Sequence, residues 1–270
     1  MENTKISVVI PIWNGAKTLE ATVRSCLNQT LPPIEILVCD DGSDDNSKEV
    51  VQSIGDNRVV WLSGNHSGSP AGPRNRGLSI SKGDWVAFCD SDDEWLPTKL
   101  EKQVSLVKKL NYKAVCADAL IKINGVITSK KVSNWKNKTI SFKNLLKTNN
   151  VVCSSAMIHS SIFRKIGGFS EVVKYGAFAD YIYWLRVATI TNFAYIAEPL
   201  VIYDDHPDTS IRSNKISDST LKTLSFNDFK NWTKKQRKFS LYFFIFEIKK
   251  YLIQEWVKNL LRDKIQLWKI

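Results

Sequence analysis

The sequence predicts an α/β fold: a doubly wound, mostly parallel sheet with a C-terminal helical extension. Over residues 5–89, short apolar runs rich in β-branched residues alternate with amphipathic stretches. The runs are apolar at nearly every position, which is typical of strands that helices cover on both faces. Because a strand–helix–strand order places successive strands parallel in one sheet, the alternation favours a doubly wound architecture.

The predicted elements follow one another closely in the first third of the chain. We expect strands over 5–13, 34–39, 58–62 and 85–89, with helices over 18–29, up to about 54, and over 75–81. Further along, the signals weaken. They predict strands over 114–123, 156–158 and 195–203, helices over 142–147, 161–166 and 179–188, and an Asn- and Lys-rich excursion over 130–138.

The composition is that of a globular protein. The 270 residues are 43% hydrophobic and 24% charged, enough for one large α/β domain with an appendage or for two modest domains. The five cysteines are scattered and form no CxxC pair, so we expect buried free thiols rather than disulfides or a zinc cluster. The N-terminus lacks a signal-peptide pattern, and the aromatic run over 239–246 is too short to span a bilayer. A cytoplasmic protein, peripheral at most on the membrane, is expected.

The net charge of +11 is concentrated in the tail, because residues 222–270 contain 12 Lys and Arg against 4 Asp and Glu. From Ile248 onward, apolar residues recur every three or four positions with basic residues between them, which predicts a Trp-rich basic amphipathic helix. Such a helix suits the anionic inner face of the cell membrane. The alternative is a terminal helix packed on the body with its charges solvated. Nucleic acid is not expected as a partner, because no zinc-finger spacing or RNA-binding signature accompanies the charge.

Polar clusters follow three of the predicted strands. They are Pro11 to Asn14, Asp40-Asp41-Gly42-Ser43 and Asp90-Ser91-Asp92-Asp93. Ligands of doubly wound sheets bind outside the carboxyl ends of the strands, so these clusters predict a ligand site. No GxGxxG or GxxxxGK[ST] motif is present, which disfavours dinucleotide and P-loop sites.

Asp90 and Asp92 are spaced to turn carboxylate oxygens toward one divalent cation, with diphosphate oxygens and water completing its shell. That arrangement suits a reaction whose leaving group is a nucleoside diphosphate. An EF-hand loop is excluded, because Trp95 occupies the position that requires Gly and Pro97 lies inside the loop. A solvated acidic turn is the plainer alternative.

Several segments together resemble one enzyme family. They are ISVVIPIWNGAKTLEATVRSCLNQT, EILVCDDGSDDNS, GPRNRGLSISKGDWVAFCDSDDEW, SSAMIHSSIFRKIGGFSE, ADYIYWLRVA and YDDHPDTS. In this order and spacing, over about residues 5–212, the chain resembles the family 2 glycosyltransferases with the GT-A fold. The resemblance implies a nucleotide-sugar donor, with a UDP-sugar favoured, a divalent metal (Mn²⁺ or Mg²⁺), and inversion at the anomeric carbon.

The resemblance also implies roles on the donor side. Pro11, Asn14 and Asp41 would contact the nucleoside, with Asp41 placed to accept a hydrogen bond from the base. Arg74 would lie near the donor, and His206 near the diphosphate.

For the reaction itself, Asp90 and Asp92 match the DxD motif that bridges ribose, metal and diphosphate, while Asp93 would support the following turn. Asp180 matches the second residue of the family's Glu-Asp pair, the general base that takes the acceptor's proton. Ala179 stands where that pair usually has Glu. A hydroxyl is a poor nucleophile, so the chemistry calls for such a base. The alternative for Asp180 is a helix cap.

We therefore expect a catalytic domain over 1–215, with a nucleotide-sugar-binding half (1–95) and an acceptor-binding half (96–215), followed by a membrane-associating tail over 216–270. The expected activity moves a hexose, glucose or galactose, from a UDP-sugar to undecaprenyl diphosphate-linked GlcNAc or GalNAc in bacterial lipopolysaccharide O-antigen or capsule biosynthesis. A non-catalytic nucleotide-sugar-binding scaffold is the alternative that Ala179 suggests. A phosphatase with Asp90 as nucleophile is disfavoured, because that motif would end the first strand and be followed by Thr or Val.

Overall fold

The computed structural model describes residues 4–172, 178–205, 218–236 and 242–267, with the backbone alone for 218–219 and 256–267. The first half confirms the predicted alternation, with each boundary within a few residues of its expected place. Its elements are β1 (Ile6–Ile12), α1 (Ala16–Leu27), β2 (Glu35–Asp40), α2 (Ser47–Ser53), β3 (Val59–Leu62), α3 (Ala71–Ile80) and β4 (Trp85–Phe88).

The second half holds shorter and more varied elements. They are β5 (Glu94–Trp95), α4 (Lys99–Leu110), β6 (Ala114–Ile123), β7 (Val126–Lys131), β8 (Thr139–Ile140), α5 (Phe142–Lys147), a 3₁₀ turn (Cys153–Ser155), β9 (Met157–His159), α6 (Ser160–Ile166), α7 (Ala179–Val187) and β10 (Phe193–Asp204). Helix α4 and strand β7 are the longest of the elements that were not predicted from the sequence. Helix α4 buries Leu100, Val104 and Val107 at helical spacing. Strand β7 forms a hairpin with β6 because Asn124 and Gly125 both adopt positive φ, as a two-residue turn requires.

One mixed sheet runs through the protein in the order β3-β2-β1-β4-β9-β6-β10-β5, with β7 beside β6 and β8 beside β10. Strands β1, β2, β3 and β4 are parallel, and β9 is antiparallel to both β4 and β6. Since β10 is parallel to β6, the main strands point their carboxyl ends to one edge. This confirms the predicted mostly parallel sheet and fixes the edge at which a ligand site belongs.

Helices cover both faces of the sheet. Val8 and Ile10 of β1 pack with α1, α2 and α4, whereas Val9 between them packs with α3 and with helices of the second half. Gly77 permits the approach of α3, since a Cβ there would lie 2.7 Å from Val9 Cγ1. All five cysteines are buried free thiols, as predicted.

The C-terminal part forms α8 (Asp218–Gln236) and α9 (Tyr242–Leu267). Phe226, Phe229 and Trp232 of α8 are buried in the hydrophobic cluster that also contains α7, and Ile248 of α9 joins them. The predicted tail helix is therefore present, and its Ile248 side packs on the body. Within the described ranges, no helix combines the length and apolar character that crossing a bilayer would demand.

Candidate active site

The carboxyl edge of the sheet collects the polar clusters that the sequence singled out. Asn14 follows β1, Asp41 follows β2, and Asp90 lies two residues beyond β4. Because β1 lies between β2 and β4 and is parallel to both, these strand ends are neighbours in space. Pro11 also lies near this edge, within β1, and it is buried, so its predicted contact with a nucleoside stays a prediction.

Asp41 is buried and holds the loop that follows β3. Its Oδ1 accepts hydrogen bonds from the Ser67 amide (3.0 Å) and the Ser67 hydroxyl (2.7 Å), and its Oδ2 accepts from the Gly68 amide (3.2 Å). His66 Nδ1 lies 3.2 Å from Oδ2. Gly42 makes this packing possible, because its φ is +81° and a Cβ would lie 2.8 Å from the His66 nitrogen. The carboxylate is thus fixed in position before any ligand arrives.

Asn14 ties the ends of β1 and β2 together. Its amide donates to Ser43 Oγ (2.9 Å), and its side-chain Oδ1 accepts from the Asp44 amide (2.9 Å). The residue is exposed and adopts a φ of 50°, a left-handed conformation that Asn tolerates better than most residues. These contacts give Asn14 a local structural role, and its predicted contact with a nucleoside stays a prediction.

Trp13 and His66 form an exposed aromatic pair beside Asp41 that sequence reasoning did not identify. Their rings lie 4.7 Å apart with an interplanar angle of 32°. Trp13 is 56% exposed although it directly follows a fully buried strand. The sequence shows only a Trp at the end of an apolar run, and exposure is decided by packing, so no sequence signal identified the pair.

Arg74 and Asp90 form the central ion pair of this edge. Arg74, near the start of α3, is buried and donates from Nη2 to Asp90 Oδ1 at 2.5 Å, while Asp90 remains 31% exposed. Burial opposes the charged guanidinium, yet the charges of Asp90 and Asp180 help to raise the pKa of Arg74 above its usual value. The guanidinium carbon of Arg74 lies 5.4 Å from the centre of the Phe169 ring. Arg74 thus lies between the start of α7 and the turn over residues 90–93, called the DxD turn below.

Asp93 is turned inward, in contrast to the half-buried Asp92. Its Oδ2 accepts from the Ser154 hydroxyl, and its Oδ1 accepts from the Asp204 amide at 2.9 Å. Ser154 Oγ also accepts from the Asp90 amide at 2.9 Å. Burial, assisted by the charges of Asp92 and Asp90, raises the pKa of Asp93 well above its usual range. Asp93 and Ser154 therefore fix the DxD turn to the end of β10.

Asp180 lies in the first turn of α7 and is half-buried. Its Oδ1 accepts a hydrogen bond from the next backbone amide, that of Tyr181, at 2.6 Å. Its charge contributes to raising the pKa of the Cys153 thiol, which burial raises most. The structure thus brings Asp180 into electrostatic reach of Arg74 and Cys153, together with Asp90.

Two predicted residues need separate comment. Ala179 is fully buried in the hydrophobic cluster, so the position where the family usually has Glu is occupied here by a methyl group. His206 lies outside the described residues. The strand that precedes it ends in an ion cluster, in which Lys122 Nζ lies 3.2 Å from Glu94 Oε1 and 3.0 Å from Asp204 Oδ2.

The donor set at the DxD turn fits a hard divalent cation that is shared with a ligand. The Asp90 and Asp92 side chains are both half-buried, whereas Asp93 is buried and bonded elsewhere. Over the described part of the chain, no group of three or more His, Cys, Asp or Glu side chains is arranged to hold a metal. A cation at this turn would therefore need oxygen ligands from a diphosphate and from water.

Comparison with known proteins identifies the family of the chain. Residues 7–167 match the family described as glycosyl transferase family 2. The chain is 32% identical over 196 residues to the Escherichia coli UDP-Glc:alpha-D-GlcNAc-diphosphoundecaprenol beta-1,3-glucosyltransferase WfgD, covering 73% of this chain and 74% of that protein. It is 37% identical over 126 residues to the Campylobacter jejuni GalNAc(5)-diNAcBac-PP-undecaprenol beta-1,3-glucosyltransferase, covering 45% and 40%.

Among solved structures, S. aureus TarS 1-349 in complex with UDP-GlcNAc superposes with a TM-score of 0.67 at 20% identity, over 84% of this chain and 67% of that one. The shared architecture confirms the GT-A fold that the motifs implied. With its family match extending over more than half of the sequence, the chain belongs to glycosyl transferase family 2 and is a glycosyltransferase.

Proposed function

We propose that this glycosyltransferase moves a hexose, glucose or galactose, from a UDP-sugar to a saccharide carried on undecaprenyl diphosphate, in the synthesis of a bacterial O-antigen or capsule. The activities for which the E. coli and C. jejuni relatives are named support this choice of donor and acceptor. The observation that carries the proposal is the grouping of Asp90, Arg74 and Asp180 at the carboxyl edge of the sheet.

On the donor side, we assign the base to the pocket between Asp41 and Trp13. A carboxylate has about four acceptor positions, so Asp41 can accept a base N–H while it still holds the Ser67–Gly68 loop. The exposed face of Trp13 offers a surface on which a uracil ring can stack. Pro11 and Asn14 are assigned to further contacts with the nucleoside, and His206 is assigned to the diphosphate.

At the diphosphate, Asp90 and Asp92 would hold Mn²⁺ or Mg²⁺. The cation, when bound, offsets the charge that develops on the departing diphosphate. Arg74 orients the Asp90 carboxylate through their ion pair. Asp93 and Ser154 hold the turn that presents both carboxylates.

We assign the general base to Asp180. Its carboxylate takes the proton of the acceptor hydroxyl as that oxygen attacks the sugar carbon from the face opposite the leaving diphosphate, which inverts the anomeric centre. The charge of Asp180 contributes to raising the pKa of Arg74, so the base we assign has a cation within electrostatic reach. With Ala179 in place of a second carboxylate, Asp180 would perform this step alone.

We place the enzyme at the inner face of the cell membrane, held there by α9. Its described part exposes Phe243, Phe246 and Ile253 together with Lys249 and Lys250. Exposed aromatic and aliphatic groups beside lysines suit the headgroup layer of an anionic bilayer. The division into a catalytic domain over 1–215 and a membrane-associating tail over 216–270 is part of this proposal.

The test is a transfer assay with UDP-glucose and UDP-galactose against synthetic lipid-diphosphate GlcNAc and GalNAc, with Mn²⁺ or Mg²⁺ and with EDTA. We expect a product whose new linkage is β when the donor is an α-linked UDP-hexose, and no transfer in EDTA. Binding of UDP-sugar without hydrolysis or transfer on any acceptor would instead support the non-catalytic scaffold. Retention of the anomeric configuration would contradict the assigned role of Asp180.

A further inference from the structure

The β6–β7 hairpin is an unusual surface at the same edge as the site. Its tip is the Asn124-Gly125 turn, which connects the paired residues Ile123 and Val126. Val126 is 68% exposed and Ile127 is 50% exposed. Successive strand residues point to opposite faces, so exposure of both means that the tip projects beyond the body. A hairpin tip of this kind is normally polar, and two β-branched apolar side chains in solvent call for a partner.

The position of the tip relative to the site follows from the contacts of Lys122. This residue lies two positions before the turn and contacts Glu94, which follows Asp93 of the DxD turn, and Asp204 at the end of β10. Strand β6 is parallel to β10, so its carboxyl end and the hairpin emerge at the carboxyl edge. The apolar tip therefore borders the edge at which Asp90 and Asp180 are found.

The charge of the chain segment that contains the hairpin is one-sided. Residues 119–150 contain seven lysines and no Asp or Glu. Lys122 is neutralised by its two carboxylate partners and Lys131 donates to the Ala197 carbonyl, whereas Lys130 is exposed. No carboxylate of this segment would repel an anionic surface, and Lys130 would be attracted to one.

We propose that the tip of the β6–β7 hairpin, Val126 and Ile127 with Lys130 behind it, inserts into the surface of an anionic bilayer and brings the catalytic edge to face it. The inference rests on the proposed lipid-linked acceptor. A saccharide attached to a membrane lipid reaches the site only if the catalytic edge approaches the bilayer, so a projecting surface at that edge contacts lipid first. Apolar side chains that enter the headgroup boundary beside lysines are the usual composition of such contacts.

A fluorescent label at the tip tests the contact directly. Val126→Cys is labelled with an environment-sensitive dye in the full chain, and the five native cysteines are buried, so the introduced thiol takes the label. The control is Ile80→Cys, an exposed residue at the end of α3 and hence at the opposite edge. With phosphatidylcholine vesicles containing phosphatidylglycerol, we expect a blue-shifted, stronger emission from the label at 126 and little change at 80. Equal responses at the two positions would overturn the proposal.

A second experiment connects the contact to transfer. Val126→Asp/Ile127→Asp is expected to lower transfer to a vesicle-embedded acceptor by on the order of tenfold, while transfer to a water-soluble short-chain acceptor stays at the wild-type rate. Ile80→Asp should affect neither. Equal transfer by the wild type and the hairpin variant in vesicles would refute the hairpin's role. If the wild type transfers to neither acceptor, the proposed function fails, yet the label response still decides whether the tip contacts lipid.

Discussion

The donor side and the acceptor side of this enzyme are built in different ways. On the donor side, the carboxylates of Asp41 and Asp93 are buried and bonded to backbone amides of other segments. On the acceptor side, Asp180 is bonded to the amide of its own neighbour, and the second half of the chain exposes apolar groups such as Val126 and Phe246. The first region is organised by internal hydrogen bonds, and the second leaves apolar surface exposed.

This difference follows from what each side has to bind. A nucleoside diphosphate is small, polar and densely charged. In the proposed function a preformed Asp41, the Arg74 guanidinium and a cation held by Asp90 and Asp92 would bind it at little cost in ordering. A lipid-linked saccharide is large and stays at a surface, so in the same proposal exposed apolar groups would contact its environment instead. Substitutions on the donor side are therefore expected to alter stability as well as donor affinity, whereas those on the acceptor side should alter turnover or membrane binding alone.

The largest expected effect is at Asp180. Asp180→Asn keeps the size of the side chain and an oxygen for the Tyr181 amide but cannot accept the acceptor's proton. We expect turnover to fall by about 10²- to 10⁴-fold, with UDP-sugar affinity nearly intact, measured by transfer kinetics and by donor titration. Glu198→Gln, an exposed carboxylate paired with Lys102, is the control and should leave turnover unchanged. Wild-type turnover in Asp180→Asn would remove its assignment as the base.

The next effect concerns the membrane surface of α9. Lys249→Gln/Lys250→Gln removes two exposed charges beside Phe246, and each lysine near an anionic bilayer is worth about 1 kcal/mol, or roughly fivefold in binding. We expect sedimentation with phosphatidylglycerol vesicles to weaken accordingly, and the difference to shrink at high salt. Lys108→Gln/Lys109→Gln, two exposed lysines at the end of α4, changes the charge equally and should bind as the wild type.

Surface substitution is a sharper test of the tail than truncation. A chain that ended at Asn214 would lose Phe226, Phe229 and Trp232, which are buried in the core beside α7. Its loss of membrane binding would then be confounded with loss of folding. Equal vesicle binding by the two double-lysine variants would contradict the role assigned to α9 and would assign the membrane contact to another surface.

The sequence predicted the donor side better than the acceptor side, for physical reasons. Strands β1 to β4 are apolar runs, and their ends carry Asp41 and Asp90, so local pattern alone located them. The hydrogen bonds that Asp93 accepts from Ser154 and Asp204 could not be predicted, because those partners are 61 and 111 residues away in the chain. Long-range pairing of this kind leaves no periodic signal.

The tail shows the opposite outcome. Its helical pattern was visible in the sequence, but which of its apolar residues face the body and which face solvent was not. The predicted stripe from Ile248 onward includes Ile248, which is buried against the body, and Leu252, which is exposed. Upstream of that stripe, Phe243 and Phe246 are the most solvent-facing aromatics of the described part of α9, together with Tyr242. Periodicity identifies a helix and its apolar positions, but the packing partner decides which of them remain outside.

A smaller effect is expected at Ser154, which holds the DxD turn. Ser154→Ala leaves the Asp90 amide and the buried Asp93 without their shared hydroxyl. We expect a loss of about 1–3 kcal/mol in the free energy of unfolding, together with weaker UDP-sugar binding, measured by urea unfolding and donor titration. The control is Ser155→Ala, because the adjacent hydroxyl is equally buried but bonds to the Ala117 amide and the Val152 carbonyl. Ser155→Ala should lower the free energy of unfolding by a similar amount and leave donor affinity unchanged. Equal donor affinity in the two variants would show that the hydrogen bonds of Ser154 do not support donor binding.

The smallest and most specific effect concerns Lys99, which lies behind the DxD turn. The lysine is fully buried, with Nζ 3.7 Å from the centre of the Trp95 ring and 3.0 Å from Gln103 Oε1, and burial lowers the pKa of Lys99 to about 7 from 10.5. Between those two pH values the unfolded chain binds a proton that the folded chain does not, so the free energy of unfolding rises with pH there. Below the folded pKa both states are protonated, and the slope vanishes.

Lys99→Met should remove this slope, which is at most about 1.4 kcal/mol per pH unit, when urea unfolding is compared near neutral and at mildly alkaline pH. Lys109→Met, exposed on the same helix, should keep the wild-type slope. If the wild type shows no slope, the ammonium is held charged by the Trp95 ring and Gln103, which would mean that a buried cation supports the acidic turn. If the slope is present, Lys99 supports the DxD turn by apolar packing and not as a cation. The order of the donor side then depends on its hydrogen-bonded carboxylates and not on a buried charge at Lys99.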